Sequence, residues 1–221
     1  MTTQCYMCDS EASSREHAPP LCIFPEESDM ADGSNYRKNL ITVPAWDKHN
    51  LEKSHDDEYL HLLVVHGYFN NPLANKQFKT KLARAFSRRP ALLAAFHSDR
   101  TPVTIDGIET VAVTIERERF ERSIDMLVRA LYHYVFNRRL TMRPRIHTPL
   151  LLDIDGEGAE ETNEMVKNFC LAVRTHLNDK QQYGCNPDIF WFKIDHSQKR
   201  NLVSCHMQFY GGFDVFVTAN E

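Results

Sequence analysis

Residues Ile41 to Leu60 read ITVPAWDKHNLEKSHDDEYL, and the reading of this stretch decides the fold. Leu40–Val43 is a short extended run rich in β-formers. A helix follows it. Ser54 suits the N-cap, and Asp56, Asp57 and Glu58 put carboxylates in the first turn, where the helix dipole favours them. Leu60, Leu63, Val64 and Tyr68 then recur at helical spacing. Between strand and helix stand His49 and Asn50, an imidazole beside an amide, just ahead of the acids. This is a setting for a metal ion. Yet Trp46 stands where a zinc site would want a ligand, and an indole offers only a donor N–H.

The other half of such a site lies near the start of the chain. Cys5-Tyr6-Met7-Cys8 is a CxxC, a spacing at which two thiolates grip one side of a tetrahedral Zn²⁺. Trp46-Asp47-Lys48-His49 has the matching spacing but supplies His49 alone. Three outcomes are open. Asp47, His55 or a water completes the tetrahedron; or zinc binds weakly with the Trp46 ring packed over the site; or zinc is absent and Trp46 fills the space as core. Between the two half-sites lies SSREHAPP, in which Glu16 and His17 set a carboxylate beside an imidazole, ahead of Pro19 and Pro20.

Taken in order, CxxC, EHxxP, VPxxxxHN and DDEY resemble the HNH endonuclease superfamily, the ββα-metal nucleases. The resemblance spans residues about 5 to 60, roughly a quarter of the chain. It implies a small zinc-supported ββα module with two metal sites. Cys5, Cys8 and His49 would hold a structural zinc. Glu16 and Asn50 would hold a catalytic Mg²⁺ or Mn²⁺, with a third ligand from the helix start, where His55, Asp56 and Asp57 compete and Asp57 is preferred. His17 would be the general base, and Asn39 would orient it by hydrogen bonding. The chemistry is coherent. Phosphodiester hydrolysis needs a base for the attacking water and a cation for the developing charge, and an imidazole with a pKa of ~6.5 suits the first role. The implied substrate is DNA, less readily RNA, in a setting such as bacterial or phage defence. The alternative is a catalytically inactive module that keeps the fold for binding nucleic acid or protein.

The sequence changes character near Asn70-Asn71-Pro72, dividing residues 1–70 from a body over 71–221. The body reads as helices over about 76–96, with a break at Pro90, over 117–138 and over 163–178. The helix over 117–138 has Phe120, Ile124, Leu127, Leu131, Tyr134 and Val135 on one face. Asp106-Gly107 marks a hairpin within 102–115, and 188–218 reads as three antiparallel strands with Gly211-Gly212 in the second turn. The fold class is therefore α+β. Lys76, Lys79, Lys81, Arg84 and Arg88 form a basic run without acids, which could contact phosphates or could be a solvated helix face. Residues 71–221 could also carry a protein partner.

The formal net charge of −4 excludes a global positive field, so nucleic acid must be met by a local patch. The first twenty residues lack the basic and apolar regions of a signal peptide, and no run approaches the ~18–20 apolar residues of a membrane span. These features lead us to expect a cytoplasmic protein without a membrane partner. Six cysteines without a secretory signal do not read as a disulfide framework, so Cys22, Cys170, Cys185 and Cys205 are expected as small buried residues. His206 is expected to be packed rather than catalytic. Residues 153–158, DIDGEG, lack the later acids of a calcium loop.

Overall fold

Two short strands set the first layer. β1 (Ser14–His17) pairs antiparallel with β2 (Thr42–Ala45), Glu16 opposite Val43 and His17 opposite Thr42. The computed structural model describes residues 3–52, 54–88, 100–105, 107–153 and 156–220; the side chains of 50–52, 54, 55 and 105 are outside that description. α1 (Asp47–Glu52) and α2 (Ser54–Val65) follow β2, giving the order strand, strand, helix. The helix thus begins earlier than Ser54. Asp47 supplies the carboxylate in its first turn, and the Trp46 carbonyl accepts the His49 N–H at 2.9 Å.

α3 (Pro72–Gln77) is capped by Asn71, whose side chain accepts from the Leu73 N–H at 3.0 Å, with Pro72 at the first helical position. A π-helical turn over Phe78–Leu82 leads into α4 (Ala83–Arg88). Pro90, the expected break, lies outside the described residues. β3 (Arg100–Ile105) and β4 (Ile108–Val113) form the expected hairpin, although Asp106 of its turn is also outside them.

α5 (Arg117–Phe136) buries Phe120, Ile124, Leu127 and Leu131, each worth about 1.5–3 kcal/mol of transfer free energy. Tyr134 is 47% exposed, in contrast to its expected place on the apolar face. It stands at the rim, edge-on to Tyr183. The helix ends at Asn137, which takes the left-handed conformation with φ 51°.

The largest sheet has five antiparallel strands in the order β5-β9-β8-β7-β6. These are β5 (Pro144–His147), β6 (Gln182–Asn186), β7 (Phe190–Ser197), β8 (Leu202–Phe209) and β9 (Phe213–Asn220), with α6 (Ala159–His176) between β5 and β6 in sequence. β7, β8 and β9 are the three expected strands. β5 and β6 were not legible because Pro144 and Gly184 argue against strands, and both prove to be edge strands, where such residues are tolerated. Alternation divides the sheet's faces. Phe190, Phe192, Cys205, Met207, Phe209, Val215 and Val217 face the main core, whereas Phe216 packs against Cys170, Val173 and Leu177 beneath α6.

One buried cluster runs from Cys5 through α2 and α5 to Ala219. Its junction is Tyr210 in the β8–β9 turn. Tyr210 is fully buried and donates its hydroxyl to the Ile23 carbonyl, which also accepts from the Gln77 amide at 3.2 Å. The Asn71 N–H meets the Tyr210 carbonyl at 2.8 Å. Asp56 clamps α2 to α5 through Arg119 at 3.0 Å and Arg122 at 3.2 Å.

Two predictions follow from this packing. A Cβ on Gly212 would lie 2.2 Å from the Phe69 carbonyl carbon and 2.5 Å from the Asn70 nitrogen, backbone atoms with no freedom to retreat. Gly212→Ala is expected to cost more than about 3 kcal/mol in urea unfolding. Gly33→Ala, at φ 72° but in open space, should cost about 1 kcal/mol. The second concerns His61, which is 3% exposed with Nε2 unpartnered. Burial, then the positive charges of Lys81, His66 and Arg37, push its imidazole from 6.5 down to about 3. Between those values the unfolded chain binds more protons than the folded one. Stability should therefore be complete above the unfolded value and fall as pH drops toward 3, by up to about 1.4 kcal/mol per pH unit. His61→Leu should flatten that acid limb in a series of urea midpoints against pH.

Candidate metal centre and catalytic residues

Residues 3–12 fold into a small loop because their backbone groups pair across it. Gln4 bridges Glu11, the Cys5 N–H donates to the Ser10 carbonyl at 3.0 Å, and the Ala12 N–H donates to Thr3 at 2.9 Å. The loop is fastened to β2 by Tyr6 N–H to the Pro44 carbonyl, 2.9 Å, and Ser13 N–H to the Ala45 carbonyl, 3.0 Å. This fastening carries Cys5 and Cys8 to the start of α1. There His49 Nε2 lies 3.4 Å from Cys8 Sγ, and the ligand atoms of Cys5, Cys8 and His49 all fall within 4.8 Å of one another.

Two sulfurs and an imidazole nitrogen form a donor set that suits zinc. Backbone and side-chain groups hold both sulfurs in place. Cys5 is buried, and its Sγ accepts backbone N–H groups from Met7 at 3.4 Å and Trp46 at 3.3 Å. Burial pushes the Cys8 thiol up, but hydrogen bonds from Ser10, His49 and Cys5 outweigh it and bring the thiol down to about 7. The group of three could therefore hold a metal ion such as zinc. Among the described residues no fourth His, Cys, Asp or Glu joins it, Asp47 included. The His55 side chain lies outside them.

Trp46 does not fill a void. It is 36% exposed, its ring edge-on to His49 at 5.7 Å with Lys48 over it at 5.7 Å. Its backbone serves the site, through the N–H that reaches Cys5 Sγ. A main-chain donor is independent of residue type, which is why a non-ligating side chain fits at this position.

Glu16 and His17 are neighbours in β1 and so point to opposite sides of the hairpin. Glu16 is 5% exposed, and its Oε2 accepts the Tyr6 hydroxyl at 3.0 Å. His17 is half-buried at the strand's end. Tyr6 is the residue that sequence reading missed. Burial first, then the charge and hydrogen bond of Glu16, push its hydroxyl far above the usual range, with Cys5 and Asp57 adding to the effect. Tyr6 therefore sits between the metal-binding group and the acids. Its place inside the CxxC was the available signal, since a residue between two ligands must lie beside the site.

The remaining candidates are scattered. Asp57 is half-buried on α2, and its carbonyl accepts the Cys22 thiol at 3.4 Å. Asp56, its competitor, is committed to Arg119 and Arg122. Asn39 is exposed with φ 55°, and its carbonyl accepts from the Cys185 thiol at 3.0 Å. Asn50 lies in α1, its side chain outside the description. In the basic run, Arg84 pairs with Asp29 at 2.6 Å and Glu26 at 3.1 Å, and Lys81 donates to the Cys22 carbonyl at 2.9 Å. These two bind the loop before β2 to the helix, while Lys79 and Arg88 are exposed and Lys76 is half-buried.

Elsewhere, His206 is packed as expected, its Nε2 2.7 Å from Asp214 Oδ1 and its ring stacked on Phe216 at 4.2 Å. No disulfide joins any of the six cysteines; Cys170 and Cys205 are buried, Cys22 is half-buried, and Cys185 is exposed because β6 is an edge strand. No helix among the described residues is long and apolar enough to cross a membrane. Comparison with protein families, curated proteins and solved structures finds no match for this chain.

The metal group generates a direct prediction. Protein purified without chelator should carry about one zinc per chain, and Cys8→Ser should abolish it and lower the melting temperature. Trp46→Cys adds a ligand at a matching spacing and should slow zinc release to a competing chelator.

Proposed function

We propose that the chain is an HNH-like, metal-dependent endonuclease that hydrolyses phosphodiester bonds in DNA, with RNA as the lesser candidate. The observation that carries this reading is the placement of His17. It ends a two-stranded hairpin, next to the buried Glu16, in a unit whose start converges on the following helix through Cys5, Cys8 and His49. His17 takes the proton of the attacking water, a role for which imidazole is the usual side chain at neutral pH. Glu16, Asn50 and Asp57 are the oxygen donors that would hold Mg²⁺ or Mn²⁺, and such an ion supplies stabilisation of the charge on the phosphate and the leaving oxygen. Tyr6 fixes the Glu16 carboxylate from within. Lys76, Lys79 and Arg88 are the members of the basic run suited to the backbone. The zinc at Cys5, Cys8 and His49 has a structural role in this account.

A second reading has its own support. Glu16 is almost wholly buried under Tyr6, and Lys81 and Arg84 are spent on internal contacts. These features favour a non-catalytic module that keeps the metal-supported hairpin to bind nucleic acid or a protein partner through residues 71–221. Plasmid nicking with Mg²⁺ or Mn²⁺ separates the two. The nuclease reading expects nicking by the wild type and at least a ~10²-fold loss in His17→Ala. Equal activity in both proteins, or none in a folded wild type, would reject His17 as the base.

A further inference from the structure

From Met126 to Leu152 the chain carries five arginines and not one acid. Two of these arginines already have partners within the chain. Arg129, gripped by Asp125 at 2.8 and 3.0 Å, donates to the carbonyls of Leu140 and Met142 (the latter at 3.2 Å), fixing the loop after α5 from within. Arg139 pairs with Asp9, the residue after Cys8, at 2.5 Å. The other three, Arg138, Arg143 and Arg145, are exposed.

The topology places them together. β5 begins at Pro144, which pairs with Ala219 near the end of β9; Asn220 pairs with Leu202 at the start of β8, and Leu202 with Ser197 at the end of β7. One end of the sheet therefore gathers the start of β5 and the β7–β8 turn, which carries exposed Lys199 and Arg200. Arg143 precedes a proline and is held to extended backbone, so it shares a side with Arg145. Arg138 directly follows Asn137 at the end of α5, and on that helix the Tyr132 hydroxyl is 2.8 Å from His196, next to the end of β7. Two acids near this end already have partners among the described residues. Asp9 is held by Arg139, and Asp195 by Lys180 at 2.9 Å and His176 at 3.2 Å.

We propose that this end of the sheet, formed by Arg138, Arg143, Arg145, Lys199 and Arg200, is the surface that receives the phosphate backbone of a nucleic acid. Several observations select that partner. The chain's net charge is −4, so a local concentration of unmatched cations is the way it can hold a polyanion. Four of the five cations are arginine, whose planar fork fits phosphate oxygens in pairs. Arg129 holds the loop after α5 through the Leu140 and Met142 carbonyls, which lowers the ordering cost of binding there. The Arg139–Asp9 pair ties the loop to the Cys5–Cys8 turn, so a strand on this surface runs beside the proposed nuclease unit. The inference rests on the nucleic-acid reading above but names a different surface from the helix over 72–88, and nothing in it depends on cleavage.

The test is fluorescence anisotropy with a short labelled duplex and the matching single strand, in buffer without added divalent ions or chelator, across a range of salt. Wild type is compared with Arg143→Gln/Arg145→Gln, Lys199→Gln/Arg200→Gln and Lys79→Gln/Arg88→Gln. Each of the first two pairs should weaken binding at least tenfold at moderate salt and lower the slope of log K against log salt by nearly ~2, about 0.9 per lost phosphate contact on duplex. The Lys79/Arg88 pair should change the slope less than either. Melting temperatures should be unchanged, since the replaced side chains are exposed. Unchanged slopes in the first two pairs would overturn the proposal even if the protein nicks plasmid. A reduced slope in a protein that never nicks would uphold it while the nuclease reading fails. Binding to anionic phospholipid vesicles without binding either nucleic acid would overturn it.

Discussion

Two thiols and an imidazole brought together across some forty residues of chain would be an unfavourable arrangement if each had to be desolvated for itself. Cys5 is fully buried, Cys8 and His49 are partly so, and the Cys8–His49 contact closes a span of 41 residues. A shared metal ion changes that balance. Bound there, it would replace the lost hydration of the sulfurs and act as a cross-link, which for a loop of this size is worth about 4 kcal/mol in the chain-entropy account. The loop it closes contains Glu16, His17 and Asn39. On this view the metal group is what makes a two-stranded hairpin, marginal by itself, into a fixed platform.

The platform is also held from behind. Its connecting loop reaches Ile23, whose carbonyl receives the Tyr210 hydroxyl and the Gln77 amide, so the turn between β8 and β9 supports the loop that leads from β1 back to β2. Lys81 and Arg84 secure the same loop from the helical side, to Cys22, Glu26 and Asp29. The division of labour in the basic run follows from this. Cations that face the loop's acids are structural, and those turned to solvent can meet a ligand. The exposed arginines after α5 stand at the other boundary of the platform, linked to it by Arg139 and Asp9.

What could be read in advance follows the range of the interactions involved. The strands over 190–220 announce themselves by strict alternation, and Cys5, Cys8 and His49 by spacing, because both signals are local. The commitment of Asp56 to Arg119 and Arg122 depends on partners more than sixty residues away, and no local pattern distinguishes it from Asp57. Tyr6 was hidden for a similar reason. Its role is defined by Glu16, brought beside it by hydrogen bonds to β2. Trp46 contradicted the expected ligand pattern at the level of side chains, yet its function at the site is carried by a backbone N–H, which sequence identity does not encode. The edge strands β5 and β6 went unseen because edges tolerate the proline and glycine that count against a central strand.

The central claim is that Cys5, Cys8 and His49 bind one zinc ion together. X-ray absorption at the zinc edge on protein purified without chelator tests it most directly. The account predicts a first shell with two sulfurs at ~2.3 Å and an imidazole nitrogen at ~2.0–2.1 Å, completed by one further light atom. A metal-free protein that is fully folded, or zinc surrounded by oxygen and nitrogen alone, would contradict it.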